Sequence, residues 1–298
     1  MGLALIVHGG AGAMGRERYD AARAGCRMAA EAGWHVLRQG GDAVEAVRAA
    51  IMALEDNPGF NAGTGAVLTT DGHAQLDAGI MDGVTLDAGA VAGVERVKNP
   101  IALARAVLTS PHVLLMGAGA EQFAIESGFP LCDPAELVTQ TQLERWRRGY
   151  RMGDDVNAGP LVSVSDVSAS ANGTGKRSRG GTEGKGSKGS NGARAAAGSD
   201  AEPVHADAEK HGTVGAVAVD SAGRVAAGAS TGGIAAKHPG RIGDTPIAGA
   251  GFYAENGLGG VSSTGHGEDF IRLLLARRAL DFIGGGMSAQ AAASAAIR

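Results

Sequence analysis

A long tract with no core-forming pattern, from about Ser163 to Lys210, divides this sequence and ends at a strand-like run. Ser, Gly, Ala, Lys and Asn dominate the tract, and large apolar residues are almost missing. It cannot bury enough apolar surface to offset the entropy of ordering, so we predict disorder over residues 163–210. The tract is either an interdomain linker or the tail of a segment that ends where the next strand begins.

The junction behind this tract is a Gly-Thr step, Gly212-Thr213, that opens a run of small and β-branched residues. Cutting the Gly212–Thr213 bond would leave the Thr213 hydroxyl beside a free α-amine. A nucleophile and a base would then share one residue, which is a known way to activate a weak hydroxyl. The junction therefore suggests a threonine hydrolase that matures by cleavage.

The composition limits the other classes of function. Hydrophobic residues make up 44% of the chain but aromatic residues only 4%, beside 50 glycines, so the core must consist of Ala, Val, Leu and Ile. The net charge of −4 argues against a nucleic-acid binder. Cys26 and Cys132 form no disulfide framework or metal pattern and fit a reducing compartment. The apolar start is too short for a signal or a membrane span. We therefore expect a cytoplasmic enzyme without nucleic-acid or membrane partners.

Periodicity and turn residues predict an α+β fold. Asp42 is the expected N-cap of a second helix, and Pro100 is the expected first residue of a third. Strands are predicted at residues 3–8, 66–70, 74–78, 88–97, 113–116, 213–220, 224–230 and 260–263. Helices are predicted at residues 19–39, 100–108, 118–126 and 268–283, with an Ala-rich helix from Ser288. The helix capped by Asp42 is expected to end at residues 57–59, and residues 143–151 are amphipathic and exposed. Strands come in hairpins and helices in runs, which indicates sheets covered by helices rather than a doubly wound parallel sheet.

Common cofactor and nucleophile motifs are weak or missing. A G-x-G-x-x-G pattern occupies residues 10–15, but a second helix follows where a dinucleotide fold needs a strand. The sequence has no P-loop lysine motif and no H-E-x-x-H. A tight turn near a site is the preferred interpretation of the glycines.

Several polar residues in the second half could meet at Thr213. A hairpin of the strands 213–220 and 224–230 would bring Thr231 close to it. Arg241 and Asp244 share one loop, where a guanidinium and a carboxylate suit the carboxylate and ammonium of an amino acid. Thr264 and Gly265 follow another strand and offer a hydroxyl and an N–H to an oxyanion. Each feature alone has an ordinary explanation, such as a solvated surface pair.

The sequence resembles the plant-type (class 2) L-asparaginase/isoaspartyl aminopeptidase family of N-terminal-nucleophile (Ntn) hydrolases. The resemblance covers nearly all of the chain outside the predicted disordered tract. The matching segments, in order, are VHGGAG (7–12), NPGFNAGTG (57–65), LDA (76–78), MDG (81–83), AVAG (90–93), HGTVGAVAV (211–219), STGG (230–233), PGRIGD (239–244) and STGHG (263–267).

The resemblance implies a role for each matching site residue. The chain would cleave itself at Gly212–Thr213 and act on L-asparagine and β-aspartyl dipeptides, with Thr213 as nucleophile and its freed amine as base. Thr231 would tune the Thr213 hydroxyl. Thr264 and Gly265 would form the oxyanion hole. Arg241 would hold the substrate α-carboxylate and Asp244 its α-ammonium, with Gly267 lining the same pocket. Asn61 would contact the Thr213 amine.

The resemblance also implies a structural ion and an assembly. Catalysis would need no cofactor, but a sodium ion would bind backbone carbonyls of Leu54, Glu55, Asn57, Phe60, Ala62 and Thr64. The fold would be a four-layer αββα sandwich, assembled as a dimer of αβ heterodimers. Residues 1–212 would form the α subunit and residues 213–298 the β subunit, which lacks the family's usual C-terminal strand pair. A glycosylasparaginase-like amidase and a truncated non-catalytic relative are the alternative interpretations.

Overall fold

The computed structural model describes residues 2–11, 16–148 and 212–298. The tract 163–210 and most of the glycine motif, residues 12–15, lie outside the described residues, so the predicted disorder stays a prediction.

The strands are β1 (Ala4–His8), β2 (Leu76–Asp82), β3 (Ala88–Val94), β4 (Leu114–Met116), β5 (Val214–Val219), β6 (Val225–Thr231), β7 (Phe252–Glu255) and β8 (Gly259–Ser262). The helices are α1 (Tyr19–Arg38), α2 (Ala43–Glu55), α3 (Pro100–Leu108), α4 (Gly117–Glu126), α5 (Gln140–Arg147), α6 (Gly267–Leu273), α7 (Leu275–Gly284) and α8 (Ala289–Ala296). Helices with a mixed sheet confirm the α+β class.

The strands form a six-stranded sheet and a separate two-stranded sheet. The larger sheet has the order β1-β5-β6-β2-β3-β4, and the smaller one pairs β7 with β8. All neighbours in the larger sheet are antiparallel except β3 and β4, which are parallel and connected by α3. Strand β5 begins directly after Thr213. Both β5 and its neighbour β6 are paired on two sides and therefore lie in the interior of the sheet.

The two faces of the larger sheet are covered differently. A Cβ added at Gly228 would meet Val47 and Ile51 of α2, whereas one at Gly79 would meet Phe252 of β7. Gly79 pairs with Ala229, the neighbour of Gly228, so the two glycines belong to opposite faces. Helices α1–α3 thus cover one face, and the β7–β8 hairpin covers the other with α7 behind it.

Local sequence signals explain where several helices begin. The Asp42 side chain accepts a hydrogen bond from the Glu45 N–H at 2.8 Å, which caps α2 as predicted. The predicted apolar face of α2 is buried in the main core, and its members are Val44, Val47, Ile51 and Leu54. Pro100 is the first residue of α3, also as predicted.

The predicted hairpin over residues 66–78 is reduced to a single bridge. Leu68 and Ala74 pair in isolation, and regular strand structure begins only at Leu76. Within this segment the Thr70 N–H donates to the carbonyl of Lys237, and the Ala236 N–H donates to the carbonyl of Leu68. The prediction of two full strands was wrong because this backbone bonds to a distant loop instead.

The helix predicted over residues 268–283 is broken at Leu274, which has φ 48° and ψ 53°. The Ala276 and Arg277 N–H groups donate to the carbonyls of Ala250 and Gly249 instead of to the preceding turn. These tertiary bonds begin a new helix, α7, at Leu275. Strand β7 was also missed. None of the helices in the described part of the chain combines the length and apolar character needed to cross a membrane.

Candidate active site

The β5–β6 hairpin brings Thr213 and Thr231 together. Val214 pairs with Ser230, so Thr213 and Thr231 follow as the next opposed residues at the end of the hairpin. The Thr213 Oγ1 donates to the Thr231 Oγ1 at 3.3 Å, and the Thr231 Oγ1 also accepts from the Gly233 N–H at 2.9 Å. Both threonines are buried. The second hydroxyl can therefore hold and polarise the first.

Asn61 lies against the junction before Thr213. Its Nδ2 donates to the Gly233 carbonyl at 2.7 Å, and its Oδ1 accepts from the Val67 N–H at 2.8 Å. A Cβ added at Gly212 would lie 2.5 Å from the Asn61 Cβ. Asn61 is thus fixed beside the Gly212–Thr213 bond, and a free Thr213 amine would be released next to it.

The loop after Thr231 carries Arg241 and Asp244 to the same place. Asp244 is buried, and its Oδ2 has no hydrogen-bond partner among the described residues. Burial raises the pKa of Asp244 to about 6, an effect that the nearby Arg241 guanidinium opposes. A buried carboxylate with an unused oxygen can accept hydrogen bonds from an ammonium group.

Arg241 already holds a carboxylate that the sequence analysis missed. Its Nε and Nη2 donate to the two oxygens of Glu268 at 2.9 and 2.7 Å. This hydrogen-bonded cation lowers the pKa of Glu268 to about 2. The bidentate geometry is the one that a substrate carboxylate needs, so such a ligand must share or displace Glu268. The opposite charge of Glu268, directly after the STGHG segment, was the available signal.

Gly267, the first residue of α6, packs between Asp244 and Arg241. A Cβ there would lie 2.8 Å from Asp244 Oδ1 and 3.1 Å from Arg241 Nη2. We expect Gly267→Ala to lower kcat/KM by roughly 10- to 100-fold, because displaced binding groups lose their geometry. Gly119→Ala in α4 is the matched control, since its Cβ would meet nothing within 4 Å. Steady-state kinetics on the substrate that the family resemblance implies would measure both variants, and equal activities would contradict a role for this packing.

Thr264 and Gly265 follow β8 and approach the site from the small sheet. The Thr264 Oγ1 is buried and has no hydrogen-bond partner among the described residues. Gly265 packs against Phe270, whose Cζ would lie 2.5 Å from an added Cβ. An unused buried hydroxyl is costly, which fits a group that is paired only when a ligand is bound.

The predicted residues converge on one small cavity of about 10 Å³, lined by Thr213, Thr231, Gly233, Ile234, Arg241, Gly243, Asp244, Thr245 and Gly265. This volume has room for about one water. Of the remaining predicted residues, Gly267 and Asn61 adjoin its walls, and Thr264 lines a neighbouring apolar groove of about 490 Å³. In this uncut chain, the site must widen to admit an amino acid.

The predicted sodium loop is a tight turn whose ligands would be neutral. The Glu55 carbonyl accepts from the Thr64 N–H at 2.9 Å, and Gly63 and Gly65 adopt φ 51° and 109°. Burial raises the pKa of the Glu55 carboxyl to about 8, and its Oε1 accepts from the Ile101 N–H at 3.0 Å. No group of three or more His, Cys, Asp or Glu that could hold a metal occurs in the described residues. Carbonyl oxygens alone fit a hard, weakly bound cation.

Sequence reasoning also missed a buried ion pair between β2 and the loop that carries Arg241 and Asp244. Lys237 Nζ lies 3.9 Å from Asp77 Oδ2, and both side chains are fully buried. Burial lowers the pKa of Lys237 and raises the pKa of Asp77, while the charge of each partner opposes the shift of the other. Asp77 lies in the LDA segment and Lys237 in a loop far away in sequence, so no local pattern could reveal that the two are paired.

Comparison with known proteins places these residues in a family. The sequence profile of the asparaginase family matches residues 1–298. The chain belongs to the asparaginase family. It is 44% identical to a plant-type L-asparaginase of Pyrococcus horikoshii, over 99% of this chain and 84% of that protein. It is 37% identical to an isoaspartyl peptidase/L-asparaginase of Danio rerio, over 98% of this chain and 80% of that protein.

A human protein is a further relative. The chain is 39% identical to the isoaspartyl peptidase/L-asparaginase of Homo sapiens, over 97% of this chain and 79% of that protein. Membership of the asparaginase family identifies the chain as a hydrolase. The resemblance inferred from short segments of the sequence is therefore confirmed.

Proposed function

We propose that this asparaginase-family chain is a self-processing threonine amidohydrolase that cleaves L-asparagine to aspartate and ammonia and hydrolyses β-aspartyl dipeptides. The observation that carries the proposal is the cavity in which Thr213 and Thr231 meet Arg241 and Asp244. The names of the archaeal and vertebrate relatives support both substrates.

The first reaction is the cut at Gly212–Thr213. The Thr213 Oγ attacks the carbonyl carbon of Gly212, the hydroxyl proton passes to the Thr213 nitrogen, and the peptide bond breaks. The product is an ester between the Gly212 carbonyl and Thr213 Oγ. Water then hydrolyses this ester, which leaves a carboxylate on Gly212 and restores the Thr213 hydroxyl beside a free amine.

Amide hydrolysis uses the same hydroxyl. An ordinary α-amine titrates at a pH of about 8, close to neutrality. The freed amine accepts the Thr213 hydroxyl proton as Oγ attacks the side-chain carbonyl of asparagine. The Thr264 hydroxyl and the Gly265 N–H stabilise the oxyanion. Ammonia leaves with the proton from the amine, and water hydrolyses the acyl-enzyme to aspartate. Arg241 holds the substrate α-carboxylate and Asp244 its α-ammonium, so only the amide can reach Oγ.

The proposal includes the ion, the layers and the assembly that the family resemblance implies. Carbonyls of the 54–64 loop would hold a sodium ion, whose role would be to stiffen the segment that carries Asn61. The covered sheets would form the four-layer αββα sandwich of Ntn hydrolases. Residues 1–212 and 213–298 would become α and β subunits, which would pair as a dimer of αβ heterodimers in the cytoplasm.

Denaturing electrophoresis and N-terminal sequencing of the purified protein test the proposal. We expect two fragments, one of which begins at Thr213, together with ammonia release from asparagine and dipeptide hydrolysis from β-aspartyl substrates. GlcNAc-asparagine should be assayed in parallel. A full-length band that never yields a Thr213 terminus would contradict the proposal, and a preference for GlcNAc-asparagine would favour a glycosylasparaginase.

Substrate binding should weaken in acid because of Asp244. Its pKa is raised to about 6, so it is ionised above that pH and accepts from the substrate ammonium. Below pH 6 it takes up a proton and loses this ability, and kcat/KM should fall through an additional protonation step. The step belongs to the free enzyme, so it should be missing from the profile of kcat. In Asp244→Asn the step near pH 6 should disappear, whereas its persistence would assign it to another group.

A further inference from the structure

We propose that Gln75, Asp77 and Lys237, here called the loop clamp, position the loop of residues 232–244 that presents Arg241 and Asp244 to the substrate. The proposal rests on the function proposed above, because it assigns substrate binding to this loop. Asp77 lies in β2, Gln75 directly precedes this strand, and Lys237 belongs to the loop itself. They are positioning residues, since they act through Arg241 and Asp244.

Lys237 ties the loop to β2 from inside the protein. Its Nζ donates to the Gln75 carbonyl at 2.8 Å and lies 3.9 Å from Asp77 Oδ2. The other oxygen of Asp77 accepts from the Gly93 N–H at 2.8 Å, which fixes the carboxylate to β3. A lysine buried in this way can move only if its charge is separated from Asp77, which is costly in a low-dielectric interior.

Gln75 holds the same loop from outside. Its Oε1 accepts from the Gly240 N–H at 2.8 Å, one residue before Arg241. Its Nε2 donates to Glu95 Oε1 at 2.8 Å, so the amide orientation is fixed at both ends. The loop is therefore anchored at Lys237 and again at Gly240, on either side of Pro239.

The loop clamp also reaches the threonines. Asp77 is the register partner of Thr231 in the β2–β6 pair. The stem of Lys237 packs on Gly233, where an added Cβ would lie 2.9 Å from the Lys237 Cδ. The Gly233 N–H in turn donates to Thr231 Oγ1. One buried cation thus fixes the spacing between the nucleophile end of the hairpin and the groups that bind the substrate.

A buried ion pair contributes little net stability, because desolvation offsets the attraction between the charges. A neutral pair of similar volume would fill the space between β2 and the loop. It would not donate a hydrogen bond to the Gln75 carbonyl, and it would therefore not fix the position of the loop. This difference separates positioning from simple stabilisation and can be measured.

The test compares Lys237→Met, Gln75→Ala and the double variant Asp77→Asn/Lys237→Met with the parent. The fraction of molecules that carry a free Thr213 terminus is measured first in each preparation, and the kinetic constants are corrected for it. We expect Lys237→Met to raise KM for asparagine about 10-fold with kcat changed less than about 3-fold, and Gln75→Ala to raise KM about 3-fold. The double variant should regain melting temperature relative to Lys237→Met while KM stays high, because only the stranded charge is removed. Recovery of the parental KM in the double variant would overturn the proposal.

Arg224→Met is the matched control. It removes the 2.7 Å ion-pair partner of the buried Asp220 at the opposite end of β5 and β6, while three backbone N–H groups continue to donate to that carboxylate. We expect a lower melting temperature with unchanged KM. Hydrogen–deuterium exchange of residues 232–244 gives a readout that does not need activity, and it should quicken in Lys237→Met but not in Arg224→Met. A parent without amidase activity would refute the proposed function alone, whereas equal exchange in the two variants would refute the loop clamp.

Discussion

Replacing Thr213 with alanine is expected to leave the chain uncut and to reduce ammonia release from asparagine by at least about 10³-fold. The Thr213 hydroxyl is the group that attacks in both reactions, and its Oγ1 is held at 3.3 Å by Thr231. Electrophoresis under denaturing conditions would measure the cut, and a coupled ammonia assay would measure the amidase.

Two further variants separate the chemistry from folding. Thr213→Ser keeps a hydroxyl and an amine and should retain slower cleavage. Thr109→Ala, at the exposed end of α3, removes a hydroxyl that donates only to the Ala106 carbonyl and should leave both activities unchanged. Thr213→Ala protein that still yields a fragment beginning at residue 213 would show that another nucleophile makes the cut.

Replacing Arg241 with methionine is expected to lower kcat/KM for asparagine by about 10² to 10⁴. Two charge-assisted hydrogen bonds to a carboxylate, each contributing about 1.5–3 kcal/mol, account for a loss of this size. Arg241→Lys should recover part of the loss, because it keeps the charge but not the fork. Steady-state kinetics with asparagine and a β-aspartyl dipeptide would measure the effect.

Arg277→Met is the matched control for this substitution. Arg277 holds Glu255 at 2.6 Å and Asp281 at 2.9 Å, and its guanidinium lies 5.2 Å from the centre of the Tyr253 ring. It has the same chemistry as Arg241 but lies outside the cavity. We expect its activity to stay within about twofold of the parent. Equal losses in the two variants would show that the Arg241 effect is one of stability.

Local signals predicted much of the fold and the convergence of the site. Alternation and turn residues indicated β5 and β6, and their antiparallel pairing was enough to bring Thr231 to Thr213. Pro100 and Asp42 marked helix starts because capping depends on neighbouring residues alone. The approach of Arg241 and Asp244 followed from their place on the next loop.

What the sequence could not predict depends on contacts between distant residues. The break at Leu274 is caused by carbonyls of Gly249 and Ala250, which no helical pattern encodes. Asp77 and Lys237 lie far apart in the sequence, and no local pattern pairs a carboxylate in one strand with a lysine in a distant loop. The strand predicted at residues 66–70 does not form for the same reason, since tertiary hydrogen bonds override local propensity.

The order β1-β5-β6-β2-β3-β4 interleaves the two segments that a cut before Thr213 would create. Strands β5 and β6 come from the C-terminal segment, yet both of their outer neighbours, β1 and β2, come from the N-terminal one. Neither fragment can complete its sheet alone, so refolding of the cut protein would be a second-order reaction. The mature hydrolase would then stay folded because it unfolds slowly. Its heat inactivation should be irreversible, so an equilibrium free energy of unfolding would describe its stability poorly.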